Sequence, residues 1–173
     1  MSYSPSGLVM HAWQHPPRCV SSFRVTPVEA PGASPYLHDE LALFNLGCPC
    51  GVTGLEVHGY PDGEGGLFCP LSARCPGCNL IHPIFDAELH GYDAEFGHGC
   101  YSTRGAGSTT RHACACGSVA FRLCASFSYQ IEPVEDLGDD ANSHIQDFFD
   151  VFGLESECAG CGVRSSLSEY ECA

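Results

Sequence analysis

The sequence predicts a mainly β protein built from two tandem β-units, with one α-helix inserted in the second unit. Three observations predict this fold. A pair of cysteine motifs occurs twice, first as Cys48-Pro49-Cys50-Gly51 with Cys75-Pro76-Gly77-Cys78, and again as Cys114-Ala115-Cys116-Gly117 with Cys158-Ala159-Gly160-Cys161. After each first motif, Leu55 and Val57 align with Phe121 and Leu123 as alternating inward positions of a strand. One stretch of the second unit has the apolar spacing of a helix.

Short apolar runs between the cysteine pairs predict the strands. In the first unit strands are expected at 41–46, 51–60, 67–71 and 79–85, with a glycine-rich turn at 61–66. Pro83 lacks a backbone N–H, which favours an edge position for the last of these strands. In the second unit strands are expected near 118–123 and 126–131.

The inserted helix is predicted at about residues 140–152. Its apolar residues fall at i, i+3, i+4 and i+7 and form one stripe, namely Ile145, Phe148, Phe149 and Phe152. Asp140 suits the helix start and Gly153 suits its end. Such an aromatic stripe is typical of a core-facing helix.

The doubled cysteine pattern indicates metal binding. Thiolates held close together at a tight turn can bind one tetrahedral ion, and the adjacent glycine permits the turn. A disulfide framework is the competing interpretation, but thirteen cysteines is an odd number, and the first ten residues show no sign of a signal peptide. Two structural zinc ions, or another thiophilic metal, are therefore expected.

The eight repeated cysteines can be divided between the two sites in two ways. The simpler arrangement gives one site to each repeat, with ligands Cys48, Cys50, Cys75 and Cys78, and then Cys114, Cys116, Cys158 and Cys161. In the alternative, each site borrows a pair from the other repeat. The remaining cysteines share no spacing and are expected to be small core residues or bystanders, namely Cys19, Cys69, Cys100, Cys124 and Cys172.

Composition suggests the domain boundaries. Residues 1–35 contain six of the twelve prolines and are expected to form a flexible or strap-like segment. Residues 36–89 form the first zinc-binding β-repeat, 90–111 a linker rich in glycine and histidine, and 112–173 the second repeat with its helix. No stretch is long and apolar enough for a membrane span.

The charge of the chain limits its partners. The net charge is −14, and all seven basic residues are arginine. Two four-thiolate zinc sites would lower it to roughly −18, since each carries about −2. Such a protein repels nucleic-acid phosphates, so nucleic-acid binding is not expected and a basic protein partner is. Zinc thiolates require a reducing compartment, which predicts a cytoplasmic location.

A polar cluster in the linker is the other candidate site. Residues 90–99 contain His90, Asp93, Glu95 and His98, and imidazole with carboxylate suits a metal or acid–base chemistry. The alternative is a glycine-rich loop whose polar groups bond to the backbone, since the spacing matches no recognised ligand motif.

The C-x-C-G and C-x-x-C motifs with alternating apolar residues between them resemble the structural zinc site of the glutathione-dependent formaldehyde-activating enzymes. More broadly, they are similar to the Mss4-like β-fold, in which zinc knuckles pin a curved sheet, as in a zinc ribbon. The resemblance implies a structural ligand role for the eight cysteines. Those enzymes carry a further C-x-C-x-x-C cluster for a catalytic ion, which neither repeat has, because only Cys69 and Cys124 lie between the pairs.

Two functions are therefore expected from the sequence. The first is a non-catalytic, zinc-stabilised acidic binding protein, such as an adaptor, a regulator or an immunity-type protein, that engages a protein partner. The alternative is a zinc-dependent enzyme with its site at the His90–His98 loop, or carbon–sulfur lyase-like chemistry.

Overall fold

A computed structural model of the protein describes residues 5–29, 40–90, 105, 107–129 and 145–172. Its architecture is mainly β, as predicted, and consists of two antiparallel sheets. The five-stranded sheet has the order β1-β2-β7-β8-β9, with β1 at Arg24–Val28, β2 at Glu40–Gly47, β7 at Phe121–Tyr129, β8 at Val151–Cys158 and β9 at Arg164–Glu171. The four-stranded sheet has the order β5-β4-β3-β6, with β5 at Ile81–Phe85, β4 at Leu67–Arg74, β3 at Glu56–Pro61 and β6 at Thr110–Arg111.

Each sheet contains strands from both sequence repeats. Strand β2 leads into the first cysteine motif but pairs with β7 of the second repeat. Strand β6, at the end of the predicted linker, leads into the second cysteine motif but pairs with β3 of the first repeat. The repeats therefore exchange their leading strands, and neither sheet is complete without both.

The exchange places equivalent residues opposite each other. Leu55 and Phe121, which align in the two repeats, form an antiparallel bridge between the sheets. The Leu55 N–H donates to the Phe121 carbonyl at 2.8 Å, and the Phe121 N–H donates back at 2.9 Å. Because the same position of each repeat bonds to its counterpart, the two halves are related by a local approximate two-fold axis at this bridge.

One hydrophobic core lies between the sheets. Phe85 of β5 stacks on Phe152 of β8, with ring centroids 4.3 Å apart and planes 8° from parallel. Polar bonds also join the sheets, since the Ser168 hydroxyl donates to the Leu67 carbonyl at 2.7 Å and the Cys69 N–H donates to the Tyr170 hydroxyl. The sheets are thus two layers of one packed unit.

The inserted helix predicted at 140–152 is wrong where the structure describes it. A 3₁₀ turn covers Ile145–Asp147, and β8 begins at Val151. Of the predicted stripe, Ile145 in the turn, Phe149 between the turn and the strand, and Phe152 in β8 are buried, whereas Phe148 is half-buried. A short apolar run is compatible with either a helix or a strand. Here the strand forms because β8 pairs with both β7 and β9. Residues 140–144 lie outside the described part of the chain.

The described residues of the N-terminal segment, 5–29, contain a helix, a 3₁₀ turn and strand β1. Residues Pro5–Gln14 form helix α1, which packs on β2 through the buried Leu8 and Ala12. Pro27 lies in β1, which is an edge strand and tolerates a missing N–H. The prolines of residues 5–29 thus lie next to the ends of helices or turns, or in an edge strand.

Other predicted elements fall close to their places. Strand β5 is an edge strand, as Pro83 indicated. The two strands expected near 118–123 and 126–131 are one continuous strand, β7, over its described length. Helix α2 spans only Ala87–His90 and ends at the first residue of the predicted linker. The domain boundaries at 35, 89 and 111 stay predictions. None of the helices in the described ranges combines the length and the apolar character that a membrane crossing needs.

Candidate metal centres

The first cysteine motif of each repeat folds into the same tight turn after a leading strand. The Cys48 N–H donates to the Val52 carbonyl at 2.8 Å, and the Gly51 N–H donates to the Cys48 carbonyl at 2.9 Å. Gly51 has φ +102°, a conformation that other residues rarely adopt. The same bonds recur in the second repeat, as Cys114 to Ser118 at 2.8 Å and Gly117 to Cys114 at 2.8 Å, with Gly117 at φ +88°.

The C-x-x-C motifs also form matching turns. The Cys75 N–H donates to the Leu80 carbonyl at 2.9 Å, and the Asn79 N–H donates to the Cys75 carbonyl at 2.8 Å. In the second repeat the corresponding bonds are Cys158 to Val163 at 2.8 Å and Gly162 to Cys158 at 2.8 Å. Asn79 and Gly162 both have positive φ, at 63° and 75°. The duplicated sequence thus folds into duplicated knuckles.

The four turns bring the cysteines together in two groups of four. One group contains Cys48, Cys50, Cys75 and Cys78, which we call site 1, and the other contains Cys114, Cys116, Cys158 and Cys161, which we call site 2. Within each group all the sulfur atoms lie within 4.8 Å of one another. Of the two arrangements that the sequence left open, this is the one with a single site in each repeat.

The spacing of the sulfur atoms suits a tetrahedral ion. In site 1 the Sγ atoms of Cys48 and Cys78 lie 3.5 Å apart, as do those of Cys50 and Cys75. In site 2 both matching pairs, Cys114 with Cys161 and Cys116 with Cys158, are 3.6 Å apart. A zinc ion with bonds of about 2.3 Å to sulfur has tetrahedral edges of about 3.8 Å. Each group could therefore hold a metal ion with little rearrangement.

The backbone of each C-x-x-C turn favours a thiolate. The Cys161 N–H donates a hydrogen bond that lowers the pKa of the Cys158 thiol. Burial raises this pKa and the Gly160 N–H lowers it further, so that its value is about 6. At Cys75, burial would raise the pKa, but the N–H groups of Cys78 and Gly77 lower it to about 7. A metal ligand must be deprotonated, and each group thus already contains one cysteine with substantial thiolate character at neutral pH.

One other cysteine of each group, Cys48 in site 1 and Cys161 in site 2, needs a nearby cation to ionise. The N–H of Val163 favours the Cys161 thiolate, but hydrogen bonds with the neighbouring sulfur atoms and burial raise the pKa of Cys161 to about 12. The Cys48 pKa is likewise about 12, since burial and the other thiols outweigh the bond from the Cys50 N–H. A bound metal ion would compensate the charge of four close thiolates.

His82 is a neighbour of site 1 whose role the sequence did not reveal. Its Nε2 lies 3.4 Å from the Sγ of Cys48, its side chain is 4 % exposed, and its ring packs on Phe23 with centroids 4.9 Å apart. It points inward from β5 between the exposed Ile81 and Pro83. A histidine at an inward position just after a C-x-x-C turn was the available signal.

Of the predicted linker cluster, only His90 lies among the described residues; Asp93, Glu95 and His98 lie outside them. The Nδ1 of His90 accepts a hydrogen bond from the Asp86 N–H at 3.0 Å. Burial lowers the His90 pKa, with Asp86 opposing, so the ring is neutral at pH 7. A neutral ring that accepts at Nδ1 carries its proton on Nε2 and has no free lone pair for a metal.

The non-repeated cysteines in the described residues lie away from both groups. Cys19, Cys69 and Cys172 are buried, and burial raises the pKa of the Cys19 thiol, with Asp147 adding to the effect. Cys124 is half-buried on β7, and Cys100 lies outside the described residues. The buried three belong to the core, as expected of cysteines without a repeated spacing.

Comparison with known proteins places the chain in no group. No protein-family model matches it, nor does any curated protein or solved structure. The geometry of the two sites is therefore the basis for a functional proposal.

Proposed function

We propose that the protein is a non-catalytic binding protein whose β-scaffold is held by two structural zinc ions and whose acidic surface engages a basic protein partner. The observation that carries the proposal is the pair of four-sulfur groups. Four protein ligands saturate a tetrahedral zinc ion and leave no position for water or substrate, as in structural sites. The motif-level similarity to the Mss4-like β-fold fits such a scaffold.

The position of the sites supports a structural role. Each joins two turns that are distant in sequence, and the turns continue directly into paired strands. A metal at either site would therefore fix where the strands start and end, and its binding energy would be folding energy. Every donor atom in the two groups is sulfur. This favours zinc over metal ions such as magnesium or calcium, which prefer oxygen ligands.

Charge supports the proposed kind of partner. The chain carries a net charge of −14 before any thiolate is counted. A zinc ion bound by four thiolates carries a charge of about −2. Two such sites would therefore make the net charge of the protein roughly −18. A surface of that sign attracts basic protein segments and repels nucleic acid. The thiolate ligands also favour a reducing compartment, and we place the protein in the cytoplasm on that ground.

Metal counting tests the scaffold. We expect native mass spectrometry and elemental analysis to give two zinc ions per chain, and to give the same number when His90 and His98 are both replaced by alanine. A third ion that disappears in this double variant would instead support the zinc-enzyme alternative. Fewer than two ions in the unmodified chain would overturn the structural-zinc proposal.

Peptide selection tests the partner. With the zinc-loaded protein as bait, a random peptide display library should yield peptides enriched in lysine and arginine, with binding that weakens as salt increases. Enrichment of neutral or acidic peptides, or of none, would contradict a basic partner. A salt-dependent mobility shift with DNA or RNA would contradict the exclusion of nucleic acid.

A further inference from the structure

The outer face of the five-stranded sheet carries a cleft where β1, β2 and β7 lie side by side. Its volume is about 180 Å³. Most of the residues that line it are polar. They come from these strands and from the turn of site 1, and those used in the argument below are Arg24, Thr26, Asn45, Gly47, Thr53 and Arg122. The cleft is thus a polar hollow with an arginine on each side.

The strand register explains why the two arginines border one space. Arg24 of β1 is the register partner of Gly47 on β2. On the other side of β2, Leu46 pairs with Leu123, which places Gly47 next to Arg122 of β7. Gly47 has no side chain, so the central strand leaves the floor open between the two guanidinium-bearing strands.

Among the described residues, the positive charges at this cleft outnumber the negative ones. Among the described arginines, every one except Arg24 has a carboxylate within ion-pair distance. Arg122 shares its partner, Glu157, with Arg164. Glu155 lies one row away in the sheet, as the register partner of Cys124. A protein of net charge −14 therefore keeps a locally positive hollow.

The other sheet has no equivalent of this cleft. Glu56 of β3 occupies the place that corresponds to Arg122, because it follows Leu55 as Arg122 follows Phe121. Glu56 is itself held by Arg74 at 3.5 Å and Arg111 at 3.3 Å. Nothing in the described residues matches β1 on that side. The cleft is thus not a by-product of the duplicated knuckles.

We propose that this cleft binds a small oxyanion, a phosphate or carboxylate group. The guanidinium groups of Arg24 and Arg122 would donate charge-assisted hydrogen bonds to its oxygens, as arginine does in phosphate and carboxylate sites. Hydroxyl and amide groups of Thr26, Asn45 and Thr53 supply the further polar wall. The surrounding negative charge repels anions elsewhere on the surface, so binding is confined to this hollow.

The proposal can be tested with inorganic phosphate and with acetate. The zinc-loaded protein is titrated with each anion at low ionic strength, with chloride as the reference, while NMR follows Thr26, Asn45 and Thr53. We expect saturable shifts at these residues with at least one of the two oxyanions, and the tighter one identifies the ligand class. Absence of saturable shifts with both would overturn the proposal.

Two variants that each remove one positive charge distinguish binding at this cleft from a general effect of net charge. Arg24→Gln should weaken binding about tenfold, the effect of losing one charged hydrogen-bond partner. Arg74→Gln removes the same charge from the other sheet and should leave the affinity unchanged. Equal affinities in both variants and the unmodified protein, or an equal loss in both, would overturn the proposal. Zinc content and circular dichroism check that each variant is folded. Since the readout does not depend on the metals, failure here is distinguishable from failure of the structural-zinc proposal.

Discussion

Site 1 and site 2 have the same backbone turns but different surroundings. Counting from the first cysteine of each C-x-x-C motif, His82 beside site 1 corresponds to Ser165 beside site 2. His82 contacts the Cys48 sulfur, whereas the Ser165 hydroxyl contacts the Ser156 hydroxyl at 3.1 Å. Cys48 is fully buried, while its counterpart Cys114 is only half-buried. The two repeats thus share the backbone turns that hold the metal-ligating cysteines, but differ in the side chains around these cysteines.

The largest expected effect comes from removing one ligand of either site. Cys75→Ser or Cys158→Ser should lose one metal ion and several kcal/mol of the free energy of unfolding, because metal-binding energy is folding energy. Since the repeats exchange strands β2 and β6, loss of either site should destabilise both sheets together. Native mass spectrometry and thermal melting monitored by circular dichroism measure the two effects. Two separate melting transitions, or a normal melt with one metal missing, would contradict this coupling.

The contact between the sheets comes next in size. Phe152→Ala should cost about 3–5 kcal/mol in the free energy of unfolding, since it empties a buried space against Phe85. Leu80→Ala is the matched control, because Leu80 is 56 % exposed and its truncation should change stability by less than about 0.5 kcal/mol. Urea denaturation measures both. A cost for Phe152→Ala no larger than that of the control would mean that the sheets do not share a core.

The difference between His82 and Ser165 should appear in metal affinity. His82→Phe keeps a ring against Phe23 but removes the nitrogen near Cys48. It should weaken metal binding at site 1 about tenfold to a hundredfold, because groups that contact a metal ligand orient it and tune its basicity. Ser165→Ala changes the corresponding position and should leave site 2 unaffected. Competition with a coloured chelator, and the thiolate-to-cobalt absorption of the cobalt form, measure the affinities. Equal metal release from both variants and the unmodified protein would show that His82 only fills space.

Local signals allowed much of this arrangement to be predicted from sequence. Thiolate spacing and glycine identified the turns of both sites, and alternation located β2 and β4 within a few residues. The stretch at 145–152 was misassigned because apolar residues at i, i+3 and i+4 also occur where a turn enters a buried strand. The exchange of β2 and β6 had no local signal, since it depends on which distant strands bury the most surface together. His82 and the Arg24–Arg122 cleft also depend on register, and so became visible only in the fold.

The smallest expected effect concerns the residue with positive φ in each C-x-x-C turn. Site 1 has Asn79 at φ 63° and site 2 has Gly162 at φ 75°. Gly162→Ala should cost about 1–2 kcal/mol in the free energy of unfolding, because a Cβ disfavours this conformation. It meets no atom within 4 Å, so the cost is conformational and not steric.

Gly162→Asn is the matched control for this last substitution. It should cost less than Gly162→Ala, since asparagine tolerates the left-handed conformation, as Asn79 already does in site 1. Urea denaturation of the two zinc-loaded variants measures the difference. If alanine were tolerated as well as asparagine, Gly162 would not need the left-handed backbone, and the two turns would be less alike than their hydrogen bonds indicate.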